Sequence, residues 1–174
     1  MVSTRTVMMS IALLALGAPS IAPVAADAPV ATANGGYHWT IEEDDIFGVE
    51  VVNRALTVNA RRYADGSVGG VFQYQQVAFG EAFRFVLSVT CFNVYDGNRA
   101  KVGGVIEVSN DPTLPVGVFG WFQAIDGGEG EGADPDRSTL LGFGTEEENE
   151  AFCDSPDTPR FGPWDVTGNL QVGG

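Results

Sequence analysis

Between residues 82 and 94 every second residue is apolar: Phe83, Phe85, Leu87, Val89 and Cys91. A repeat of two lines up one face of a β-strand, with Arg84, Ser88 and Thr90 on the other. An amphipathic helix, whose faces recur every 3.6 residues, cannot use this pattern. A strand so committed needs partners, and the flanking segments supply them. Residues 55–63 alternate Leu56, Val58 and Ala60 against Thr57, Asn59 and Arg61. Asp65-Gly66 then makes a hairpin turn, because glycine tolerates positive φ. Residues 68–77 return with Val68, Phe72 and Tyr74 on one face, and Gly80-Glu81 marks the next reversal.

After the central strand, Asp96-Gly97-Asn98 turns the chain. Ala100, Val102, Ile106 and Val108 are expected inward, with Arg99, Lys101 and Glu107 outward. Gly103-Gly104 interrupts this strand, as a bulge or a close backbone approach does. Residues 116–125 carry apolar side chains on both faces, which predicts a strand covered on both sides or lining a cavity. Residues 127–137 form an acidic, glycine-rich loop, and 138–143 resume as a strand. Thr145 followed by Glu148 is a capping-box signature and predicts one short helix over 146–152, ending near Cys153. Residues 168–172 close the chain as a last strand.

The two cysteines, Cys91 and Cys153, follow a start that reads as an export signal. Arg5 supplies the positive region, residues 7–16 the apolar stretch, and Val24-Ala25-Ala26 a small-residue cleavage site before Asp27. Export places the pair in an oxidising compartment, where one structural disulfide is expected. No Cys-x-x-Cys spacing marks a redox pair. The organisation is therefore a signal peptide over 1–26, a flexible lead-in over 27–35 and a single β domain over 36–174. The expected localisation is secreted or envelope-associated, and no apolar run has the ~20 residues of a spanning helix. Removing 1–26 takes away Arg5 and no acidic residue, leaving 23 Asp and Glu against 8 Lys and Arg, a net charge of −15. Such a surface repels nucleic acid and anionic lipid.

Several segments in order carry a resemblance. They are Asn59-Ala60-Arg61-Arg62-Tyr63-Ala64-Asp65-Gly66-Ser67-Val68-Gly69-Gly70, Val89-Thr90-Cys91-Phe92-Asn93-Val94, and Ala100-Lys101-Val102-Gly103-Gly104-Val105. Asp126-Gly127-Gly128-Glu129-Gly130 with Pro135-Asp136-Arg137, and Gly168-Asn169-Leu170-Gln171-Val172, complete the set. Together they resemble a family of secreted bacterial β-proteins frequent in actinobacteria. The resemblance implies a secreted β domain over most of residues 55–172. The family carries no known activity, so no catalytic residue is transferred. The acidic runs at 42–45 and 146–150 are not part of that pattern.

The candidate chemistry is sparse. Asp126, Glu129, Glu131, Asp134 and Asp136 bring hard oxygen ligands into one loop, as calcium requires, although the spacing matches no EF-hand. The residues expected to hold such an ion are Asp126, Glu129, Asp134 and Asp136; a solvated loop is the competing reading. His38 is the sole histidine, which excludes a histidine-based zinc cluster. Lys101 is the sole lysine, and its alternation reads as an exposed strand position. Trp39, Trp121 and Trp164 are expected to pack in the core. Arg61, Arg62 and Arg84 are too few for a nucleic-acid surface.

The fold expected is all-β: a single antiparallel β-barrel of about seven or eight strands with one short helix, the alternative being a Greek-key β-sandwich. The functional expectation is a non-enzymatic domain that binds a small ligand or a protein partner. The alternatives are a barrel-type enzyme, an isomerase or cyclase acting on an apolar molecule, and a calcium-stabilised structural module. The interior discriminates among them. An open apolar cavity entered by Tyr, Arg or Glu points to a ligand or substrate; a filled core points to the outer surface.

Overall fold

Strands that alternate, joined by tight turns, have one economical arrangement: each pairs with its chain neighbour and the sheet curls until its edges meet. The computed structural model, which describes residues 27–42, 51–78, 80–157, 159 and 162–174, has this form. Strands β1 (Ala31–Glu42), β2 (Val51–Arg62), β3 (Val68–Ala78), β4 (Glu81–Tyr95), β5 (Arg99–Ser109) and β6 (Phe119–Ile125) form an antiparallel meander. The short strands β7 (Arg137–Ser138), β8 (Gly142–Gly144) and β9 (Trp164–Asp165) extend its far edge; β8 and β7 both pair with β6. The last strand, β10 (Thr167–Gly173), returns to pair with β1, so the sheet runs β10-β1-β2-β3-β4-β5-β6-β7-β9 and nearly closes. Helix α1 (Glu146–Asp154) lies over the outside. The all-β barrel with one helix stands as expected, with more strands than the pattern indicated.

The expected leader and cleavage site, and the acidic residues at 43–45, lie outside the described residues. The lead-in is shorter than expected, because β1 already begins at Ala31 and pairs there with Arg62. Residues 27–35, rich in alanine and proline, read as patternless, yet Ala31 and Ala33 are buried in the barrel.

Two register shifts between β4 and β5 revise the facing of several residues. Cys91 does not continue the inward phase of Phe85, Leu87 and Val89. The extra residue Thr90 is bulged between the pairs Val89–Gly104 and Cys91–Gly103, so Phe92 turns inward and Cys91 outward. A bulge inverts facing for every residue beyond it. The second shift, at Glu107, likewise turns Val108 to solvent.

The outward face of β4, β5 and β6 is where α1 sits, and this explains the apolar residues on both faces of β6. Phe122 and Ala124 face the core, while Trp121 meets Phe152 of α1 with ring centroids 6.0 Å apart. The helix starts as its sequence dictates: Thr145 Oγ1 accepts from Glu148 N, and the Glu148 carboxylate accepts from Thr145 N at 2.8 Å. It extends to Asp154, so Cys153 lies within it. Cys91 and Cys153 are bonded, with Cα atoms 6.1 Å apart. Gly103 permits this seat, since a Cβ there would stand 1.9 Å from Asn149 Oδ1 and 2.7 Å from Cys91 Sγ.

Lys101 also differs from expectation. It points away from the barrel axis, but α1 covers it and it is only 2% exposed. Its Nζ donates to Phe152 O at 3.1 Å and stands 4.5 Å from the Phe152 ring centroid. Asn93 Nδ2 and Tyr95 Oη donate to Cys153 O at 3.0 and 2.5 Å. The last turn of α1 has no basic residue of its own, so the sheet supplies the donors and the positive charge its C-terminal carbonyls need. Burial, and then the neighbouring Arg99, hold the Lys101 pKa below the usual lysine value.

Candidate functional site

The barrel is filled at its middle and hollow at one end. Phe72 and Phe122 meet edge to face at 5.2 Å, and with Leu56, Leu87 and Ile106 they are fully buried. Toward the β3–β4 turn this packing opens into a pocket of about 420 Å³, a volume within the ~300–1,000 Å³ of small-molecule sites. Its apolar wall comes from Phe83 and Phe85 of β4, Leu114 of the β5–β6 loop, and Leu140, Leu141 and Phe143 around β8. Arg54, Tyr74 and Gln76 supply polar groups, and Asp111 supplies a carboxylate.

Strand phase places the polar trio. Val52, Arg54, Leu56, Val58 and Ala60 are the inward residues of β2, and register sets Arg54 beside Gln76 and Leu56 beside Tyr74. Arg54 is 6% exposed. Its Nε donates to Tyr74 Oη at 3.0 Å and to Gln76 Oε1 at 3.2 Å; Tyr74 Oη donates to Gln76 Oε1 at 2.9 Å. Arg54 Nη1 has no hydrogen-bond partner among the described residues, and neither has Nε1 of Trp39, its register partner on β1. The ion pair found among the described residues, Arg99–Asp96 at 2.7 Å, does not involve Arg54.

Burial raises the pKa of Tyr74 to about 12, outweighing the nearby Arg54 charge, and raises that of Tyr37 still further. Tyr37 Oη shares a hydrogen bond with Ser138 Oγ at 3.0 Å. Both phenols ionise more readily in the unfolded chain, so their stabilisation is complete below the unfolded pKa near 10. It is lost as pH rises toward the folded values. Thermal melts at pH 8, 10 and 11.5 are expected to show stability falling from pH 10 upward. An unchanged midpoint at pH 11.5 would refute this coupling.

The acidic loop proves to be part of the barrel seam. Asp136 Oδ1 accepts from Gly127 N at 2.9 Å, and Oδ2 accepts from Leu170 N at 2.8 Å. Asp126 does the same, accepting from Gly128 N at 2.7 Å and Val172 N at 2.9 Å. The carboxylates thus take N–H groups of β10 that a neighbouring strand would otherwise take. Glu129 and Asp134 join Asp136 around a polar hollow beside the start of β10. Among the described residues, no group of three or more His, Cys, Asp or Glu side chains is placed to hold a metal ion.

The remaining candidates disperse. His38 is exposed on the outer face of β1. Trp39 is in the core, whereas Trp121 and Trp164 are half-buried. Arg62 bonds Asn93, and Arg84 Nη2 donates to Gln73 at 3.0 Å. Arg54 lies one residue before the expected start of the strand at Ala55, on the same inward phase as Leu56, Val58 and Ala60.

Fold and pocket define an antiparallel barrel with a hollow mouth and a buried arginine in its wall. No family model, curated protein or solved structure matches the chain. Among the described residues, no helix is long and apolar enough to cross a membrane.

Proposed function

We propose that the protein is a secreted or envelope-associated, non-enzymatic barrel that holds a small apolar ligand in its mouth. The observation that carries this reading is the 420 Å³ pocket, apolar on one side and bearing Arg54, Tyr74 and Gln76 on the other. A hollow of this size favours a small molecule over a protein partner. The enzyme reading finds less support. Tyr74 stays protonated near neutral pH, and Asp111 Oδ1 already accepts from Thr113 N and Oγ1 at 2.8 and 2.6 Å. The calcium-stabilised module draws on Asp126, Glu129, Asp134 and Asp136, two of which already serve backbone N–H groups.

Native mass spectrometry of protein recovered from its own culture medium tests the leading reading. A population heavier than the polypeptide by one small molecule, lost on denaturation, is expected. Bare protein alone would remove it.

A further inference from the structure

We propose that the mouth pocket takes an organic monocarboxylate with an apolar body, its carboxylate seated on Arg54. The inference rests on the reading of the mouth as a ligand site, and it names the chemistry of the ligand. Arg54, a cationic side chain, is more than nine-tenths buried. A buried charge is costly unless paired. Yet among the described residues no carboxylate stands within 4.0 Å of it, and Nη1 has no acceptor. The unpartnered Nη1 defines what is missing as an acceptor, and the charge defines it as an anion.

The head is small and singly charged. Nε is already engaged by Tyr74 and Gln76, so the Nη1 edge of the guanidinium remains for the ligand. Asp111 lines the same pocket and repels additional negative charge. A carboxylate meets both limits and suits the planar geometry of arginine. The body is apolar because most of the remaining wall is apolar, Phe83, Phe85, Leu114, Leu140, Leu141 and Phe143 among it.

The test is calorimetric titration of the full oxidised chain with dodecanoate and with dodecanol, each below its micelle concentration. Dodecanoate is expected to bind at least about tenfold more tightly, since a charge-assisted hydrogen bond distinguishes the heads. Arg54→Met should abolish that preference while leaving dodecanol affinity within about twofold, as the apolar wall is untouched. Leu141→Trp, which fills the pocket without touching Arg54, should weaken both ligands. Equal binding of acid and alcohol by the wild-type chain would overturn the carboxylate assignment and leave the mouth-pocket reading standing. Binding of neither by folded protein would overturn both. Dodecanoate affinity unchanged in Leu141→Trp would place the acid elsewhere and overturn the assignment. The wild-type comparison decides the matter even where Arg54→Met does not fold.

Discussion

Reducing the Cys91–Cys153 bond, or replacing both cysteines with alanine, is expected to lower stability by about 4 kcal/mol. The two residues are 62 apart in sequence. Releasing that loop returns configurational freedom to the unfolded chain, and the effect grows with the logarithm of loop length. For a domain of this size the melting temperature should fall on the order of 10 °C. The consequence inside the folded state is equally specific. A helix of nine residues does not persist alone in water, and α1 is held by its packing on β4, β5 and β6. Loosening it uncovers Lys101, Trp121 and the Gly103 seat together. Reduced protein should therefore show faster hydrogen exchange in α1 than in β2 or β3. A melting shift below about 3 °C, or α1 exchange unchanged on reduction, would show that Lys101, Asn93 and Tyr95 suffice to hold the helix without the bond.

The same region shows why facing was harder to read than strand existence. Alternation from Phe83 onward locates β4 within one residue at each end, and Thr145 with Glu148 locates the start of α1. Both signals are local, so the chain states them directly. A bulge is a property of two strands. Thr90 is extra only relative to Gly103 and Gly104, and nothing in residues 82–94 alone shows that the phase breaks there. The burial of Lys101 is hidden for a related reason. It follows from a helix residue 51 positions later, Phe152, whose C-terminal-turn carbonyl comes over β5. Arg54 was legible in principle, because it continues an inward phase already recognised. A charge at an inward position reads as the end of a strand until its partners, Tyr74 and Gln76, are known to stand beside it. Asp126 and Asp136 mislead in the opposite direction. Acidic residues among glycines resemble a cation loop, whereas the groups they satisfy are N–H donors of a strand thirty-four and forty-six residues later.

Asp136→Ala is expected to destabilise the barrel by about 2–6 kcal/mol, because it strips the acceptor from two backbone N–H groups at once, each costing about 1–3 kcal/mol when left unmet. Those groups are Gly127 N and Leu170 N, on opposite sides of the seam between the loop and β10. Asp136→Asn keeps one acceptor oxygen and should lose roughly half as much. The order Ala worse than Asn worse than wild type, read from urea unfolding midpoints, separates a staple from a surface charge. Equal effects of the two replacements would point to charge alone, and no effect from either would refute the seam. Calcium offers the contrasting demand on the same oxygens. Asp126 and Asp136 already hold four backbone N–H groups between them, and these fix the carboxylates against rearrangement around an ion. Millimolar calcium should accordingly leave the wild-type melting temperature where it is. A rise that disappears in Asp136→Ala would instead make the loop a cation site and the acidic cluster a stabilising centre. In the seam reading these carboxylates do for β10 what a neighbouring strand does elsewhere. That is how a sheet whose ends do not pair along their length still nearly closes, and how the mouth lined by Arg54 keeps its wall.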